Sequence, residues 1–259
     1  MKKINLVVNT KGGVGKSTIS LILCQLLAYR GIEFKYIEID NSNDTTQSLS
    51  NSEVFKDRTV SIKTVAAQEE LFKATFEAVK ENKIVVIDVG GGTDTNELIN
   101  LIKEQFSHLE DEINFILPFE NSYKQMGNLI NTYSLIAAPE NTYLIKNKVI
   151  KYTDRKDPFI FFEGDEKLGV KSIRKVLKPK NKVFEVYFSE QNQISEITEE
   201  SMIDVATLAL QYSSGEAHNL FMEKDDMQEY LKGMTRYANS KKSLDEILIL
   251  NDEFEELIK

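Results

Sequence analysis

Cysteine is nearly absent: Cys24 is the single one in 259 residues. An internal disulfide, a zinc cluster and an iron–sulfur site held by one chain are therefore excluded, and two copies together would still fall short of a four-thiolate cluster. Cys24 lies in an apolar helical pattern, where a free cysteine serves as a small core residue. Proline and glycine are also sparse, at four and twelve. No long flexible linker is expected, and the chain reads as one domain over 1–259. No apolar stretch approaches the ~20 residues of a membrane-spanning helix. The first apolar run ends at Val8, too short for the core of a secretory signal, so the expectation is a cytoplasmic protein with no membrane partner. There is no internal repeat and no low-complexity tract.

Positive charge is scarce overall, with a net charge of −9, which on its face argues against nucleic acid. The average hides an asymmetry. Residues 146–182 hold twelve Lys/Arg against five Asp/Glu, a local balance of +7 that leaves −16 for the rest. An acidic body with one basic segment can bind DNA through that segment.

The richest stretch is Asn9-Thr10-Lys11-Gly12-Gly13-Val14-Gly15-Lys16-Ser17-Thr18. It follows an apolar run and opens a helical pattern, so strand, glycine turn and helix N-terminus form a phosphate cradle. Glycines let successive N–H groups point inward at phosphate oxygens. Lys16 adds a point charge at the β/γ-phosphates, and the Ser17 hydroxyl is placed to hold Mg²⁺. Thr10 stands where the common G-x-x-x-x-G-K-[ST] pattern has glycine, and Lys11 adds a second lysine. The resulting K-G-G-x-G-K-[ST] resembles the deviant Walker A loop of the ParA/MinD ATPases, and Asn9 and Thr10 look most like the partition branch. The resemblance implies ATP and Mg²⁺ as cofactors, nucleotide contacts from residues 11–18, and a Lys11 that reaches across an ATP-sandwich homodimer to the partner's phosphates.

The elements expected from periodicity alternate. Strands fall at 4–9, 34–39, 83–89, 113–118, 143–150 and 183–188, with a short edge strand at 59–65. Helices fall at 17–29, 68–82, 95–107, 123–136, 169–178, 194–212, 225–238 and 243–258, the last opened by a Ser243/Glu246 capping box and the break before 225–238 marked by Ser213-Ser214-Gly215. The run Phe159-Ile160-Phe161-Phe162 is either an extra strand or a contact surface. Such alternation predicts an α/β protein with a doubly wound, mostly parallel sheet covered on both faces, of the P-loop NTPase type. The ligand then belongs outside the carboxyl ends of the strands.

Asp40 closes the second strand and Asp88 the fourth. By the resemblance, Asp40 sits by the attacking water and Mg²⁺; otherwise it only caps a loop. An aspartate ending an apolar strand holds magnesium through water, and Gly91 of the D-x-x-G from Asp88 would feel the γ-phosphate. The alternative for Gly90-Gly91-Gly92 is a plain turn. Asn147 falls where family members often read the adenine edge, with a loop cap as the alternative. In the basic segment, at about 151–182, Lys171, Arg174, Lys175 and Lys178 share one side of a short helix and Val170, Ile173 and Leu177 the other, which is either a DNA-binding stripe or an ordinary solvated face. The helical carboxyl-terminal part, about 194–259, ends in an acidic helix that an anionic lipid surface would repel, unlike the basic membrane helix of the MinD branch.

These readings point to a ParA-like ATPase. ATP would drive dimerisation and non-specific DNA binding, a centromere-binding or cargo adaptor protein would stimulate turnover, and the ATP form would associate with the nucleoid. The chain starts at its first strand without an amino-terminal DNA-reading domain, which favours plasmid segregation. An accessory ATPase for conjugation or another cargo is the alternative, followed by a metabolic enzyme on the same fold, for which no further substrate pocket is identified. A scaffold that does not hydrolyse nucleotide is disfavoured by the presence of both Asp40 and Asp88.

Overall fold

Apolar runs without polar alternation become strands buried on both faces. In the computed structural model, which describes residues 2–39, 51–65, 68–105, 111–150, 158–187, 199–223 and 226–259, β4 (Ile84–Val89) is buried at all six positions and β5 (Ile113–Phe119) at all seven. With β1 (Ile4–Val7), β2 (Phe34–Ile39), β3 (Thr59–Ile62), β6 (Thr142–Val149) and β7 (Phe184–Tyr187) they form a seven-stranded sheet. Its order is β3-β2-β4-β1-β5-β6-β7, every pairing is parallel, and β3 is the edge strand the sequence predicts.

Helices cover both faces. On one, α2 (Gln68–Lys80), α3 (Thr93–Gln105) and α4 (Tyr123–Ile136) pack through Leu71, Leu98, Ile102 and Leu129 onto Leu6, Ile37, Ile87 and Phe115. On the other, α1 (Lys16–Tyr29) packs through Ile19, Leu23 and Leu26 onto Val7, Tyr36, Val86 and Ile116. Cys24 is a buried free thiol in that second core, as its apolar surroundings predict.

Several elements depart from expectation. The aromatic run is not a strand: it forms the one-turn α5 (Ile160–Glu163), and Phe159 and Phe162 are fully buried against Phe119, at ring separations of 5.7 and 4.7 Å. The basic helix is shorter than 169–178. It is α6 (Ile173–Leu177), entered through a Ser172 cap and left at Lys178 in the left-handed region. The helix expected over 194–212 is described only as α7 (Met202–Gln211), which starts at a Ser201/Asp204 capping box, and residues 188–198 lie outside the described residues.

The helix ends at Gln211, near the expected break, and Ser213 then caps a further helix, α8 (Ser214–Met222), through a reciprocal box with Glu216. The two last helices are largely one, α9 (Met227–Glu253), followed by the short α10 (Glu255–Ile258). Ser243 is therefore no cap; it is buried inside α9. The polar stretch around it stays helical because Ser240 is small and fully buried against α7, where its hydroxyl accepts the Ala209 N–H at 2.9 Å. No helix among the described residues is long and apolar enough to cross a membrane.

Candidate functional site

The strand order places β1 between β4 and β5, and the glycine-rich loop leaves from the carboxyl end of β1. In an open parallel sheet this is where a ligand crevice forms. The residues just before the glycines hold the loop in place. Asn9 donates from Nδ2 to the Pro118 carbonyl near the end of β5 and accepts the Lys11 N–H at Oδ1, both at 2.9 Å. The Thr132 hydroxyl of α4 gives its proton to the Asn128 carbonyl at 2.8 Å, so it accepts from the Thr10 N–H and hydroxyl at 3.3 and 3.1 Å. A side chain at Thr10, where glycine is commoner, thus ties the loop to α4.

Gly13 and Gly15 take positive φ, 77° and 89°, and Gly15 is the residue from which α1 starts. A β-carbon on Gly15 would meet Asn147 Nδ2 at 1.9 Å, so glycine is required there by space as well as by φ. The two lysines have different surroundings. Lys16 is buried, with Nζ donating to the Lys11 carbonyl at 3.3 Å, while Lys11 lies exposed on the loop.

Asp88 closes β4 beside this cradle and is 3% exposed. The Tyr36 hydroxyl donates to its Oδ2 at 3.2 Å, and its Oδ1 has no hydrogen-bond partner. Burial pushes the carboxyl up to about 6, with Glu38 adding to it, against the pull of the neighbouring Ser17 hydroxyl and the Lys16 charge. A buried carboxylate with one unsatisfied oxygen, next to a serine hydroxyl, is a donor set that fits a hydrated divalent cation. Ser17 and Asp88 are the described residues that could hold one; Asp40, expected with them, lies outside the described residues.

The glycine run after Asp88 rests on the loop. Gly90 N–H donates to the Ile39 carbonyl at 2.6 Å and Gly92 N–H to the Thr10 carbonyl at 2.8 Å. A β-carbon on Gly91 would come within 3.0 Å of the Gly12 nitrogen. This is a backbone-to-backbone seam rather than a plain turn.

Asn147, 2% exposed, donates from Nδ2 to the Val14 carbonyl at 2.9 Å. One donor of the amide assigned to a base edge is therefore committed to the loop. Two residues the motifs did not single out also line the cleft, which has a volume of about 450 Å³: Asp94 in the first turn of α3, and Lys148. Lys148 has φ 55° at a break in the β6–β7 register and pairs with Glu120 at 2.5 Å. Its position beside Asn147 at the end of a strand was the available signal.

The described part of the basic segment, α5 and α6, packs on the α4 side of the sheet, opposite α1. Ile173 and Leu177 pack on the core and Lys171, Arg174, Lys175 and Lys178 are exposed, as the amphipathic pattern predicts. Arg174 is engaged with Glu163 at 3.1 Å.

A parallel sheet with a glycine loop feeding a helix N-terminus, and an acid closing the neighbouring strand, defines a P-loop nucleotide-binding protein. The family model for the CobQ/CobB/MinD/ParA nucleotide-binding domain matches residues 6–205. The chain belongs to this family.

Among solved structures it is similar to apo McdA of Cyanothece, at 16% identity and a TM-score of 0.53, with 93% of this chain and 99% of that one covered. An ATP complex of a substituted Cyanothece McdA gives 15% and 0.55, covering 94% and 96%. The MinD cell division protein of Aquifex aeolicus gives 13% and 0.50, covering 78% and 89%. At these identities the likeness is one of fold. No curated protein sequence matches the chain.

Proposed function

We propose that the chain is a Mg²⁺-dependent ATPase of the partition type. ATP closes two copies face to face, the closed dimer holds DNA without regard to sequence, and hydrolysis separates the copies. A centromere-binding or cargo adaptor protein stimulates turnover, and the cycle drives plasmid segregation. The observation that carries this reading is the unequal placement of the two loop lysines. Lys16 is buried and turned onto its own loop. Lys11 is exposed on the same loop, where its side chain can meet the phosphates of a second copy.

In hydrolysis, water adds to the γ-phosphorus as the bond to the β–γ bridging oxygen breaks, releasing ADP and phosphate. Lys11 and Lys16 neutralise charge developing on the phosphoryl oxygens, and Asp40 orients the water. Magnesium, when bound by Ser17 and Asp88, supplies further charge neutralisation at the phosphates. Asn147 supports the loop and offers its remaining amide groups to the base. Lys171, Lys175 and Lys178, with Arg174, form the DNA-facing stripe.

The test is oligomeric state and DNA binding with ATP, with ADP and with neither, for the wild type and Lys11→Ala. The expected result is dimerisation and DNA binding with ATP alone in the wild type, and a variant that binds nucleotide but stays monomeric. A normal ATP dimer in the variant, or DNA binding indifferent to nucleotide, would overturn the reading.

A further inference from the structure

The Asp88 carboxylate is held from below by a side chain that no motif points to. Tyr36 lies in β2, in register with Val86, and its ring shares the α1 side of the sheet with that residue. From there the hydroxyl reaches diagonally across to the next residue on the same face of β4, Asp88, ending 3.2 Å from Oδ2. Cross-strand diagonal neighbours lie within reach of an aromatic side chain of this length. Tyr36 is fully buried, and Phe55 packs edge-on against its ring at 6.1 Å and 82°. The hydroxyl is therefore placed by packing and shielded from competing water. Its bond occupies one carboxylate oxygen and leaves Oδ1, which has no hydrogen-bond partner, as the remaining acceptor.

We propose that Tyr36 is a positioning residue for cation binding: its hydroxyl fixes the rotation of the Asp88 carboxylate so that Oδ1 is kept for the water shell of a divalent cation bound with nucleotide. This rests on the reading of the cleft as a metal–nucleotide site. Groups that orient a metal-binding carboxylate without touching the metal commonly change affinity by about 10-fold or more when removed.

Tyr36→Phe removes the hydroxyl and keeps the ring. The experiment is a Mn²⁺ titration followed by electron paramagnetic resonance in the presence of ADP, together with ADP affinity in EDTA. Phe55→Leu, which trims one apolar contact beside the ring but leaves the hydroxyl and the burial that places it, is the packing control. The expected result for Tyr36→Phe is Mn²⁺ affinity lowered about 10-fold, with ADP affinity in EDTA unchanged and Mn²⁺ affinity in Phe55→Leu near wild type. Unchanged Mn²⁺ affinity in Tyr36→Phe, or an equal loss in both variants, would overturn the positioning role. A wild type that binds neither ADP nor Mn²⁺ with ADP would instead overturn the reading of the cleft, and this role with it.

Discussion

At Asp88, burial acts first and Glu38 adds to it, so the carboxyl holds its proton up to about 6 despite Ser17, Lys16 and Tyr36. An acid whose folded pKa lies above its unfolded one costs stability when ionised. The cost is absent below about pH 4, the unfolded value, and is complete above about pH 6. Asp88→Asn should therefore stabilise the nucleotide-free protein at pH 7.5, by at most about 3 kcal/mol for a shift of this size. The gain should vanish near pH 4, and Mg²⁺-dependent nucleotide binding should be lost. Urea unfolding at the two pH values checks it; equal stability of variant and wild type at pH 7.5 would mean that the carboxylate is not strained by burial. At this scale the loop and Asp88 were legible because short spacing along the chain sets their geometry. Tyr36 was not, because its contact joins residues 52 apart on two different strands. Asn147 was singled out through the family resemblance, but its bond to Val14 was not legible.

Among the elements, the insert formed by α5 and α6 is fastened to the strand that also touches the glycine loop. Lys146 of β6 is 8% exposed and pairs with Glu163 at 2.7 Å and Glu185 at 3.2 Å. Its Nζ also lies over the rings of Phe159 and Phe162, at 5.5 and 5.9 Å. The next residue on the strand is Asn147, behind Val14. Removing one partner of a buried pair leaves the others uncompensated. Since Glu163 and Glu185 keep some contact with water, Lys146→Met should cost about 2 kcal/mol. Backbone amides of 158–178 should lose protection from hydrogen exchange. Unaltered exchange in that segment would show that the aromatic packing holds it alone. The sequence revealed the charge and aromatic content of the insert but not this arrangement, since Phe159-Ile160-Phe161-Phe162 suits a strand by composition and becomes a helical turn only because Phe119 offers a place to bury two rings. The joining of 225–238 and 243–258 into α9 was hidden for a similar reason. Polar residues hide a buried helix face on which Ser240 and Ser243 lie between Tyr237 and Ile247, with Ser240 bonded to α7.

Across the whole molecule, the order of elements was legible because strand and helix periods alternate cleanly. The strand order and the helical carboxyl-terminal part depend on long-range packing that no local pattern carries. Charge is segregated on the same scale, with +7 over 146–182 and −16 elsewhere. A closed dimer would present that segment twice, so DNA binding through it should depend steeply on salt. Each phosphate contact adds about 0.9 to the slope of log affinity against log salt. Arg174 is committed to Glu163, which leaves Lys171, Lys175 and Lys178 as the exposed lysines of the stripe. Lys171→Ala and Lys175→Ala remove two charges without touching the core. Lys178 has φ 47°, where asparagine is tolerated, so Lys178→Asn is the suitable third change. The triple variant should keep ATP-driven dimerisation while its salt slope flattens by about 2–3 per subunit. An unchanged slope with normal dimerisation would move the DNA contact to another face, while a lost slope with lost dimerisation would tie these lysines to the closed state rather than to the nucleic acid.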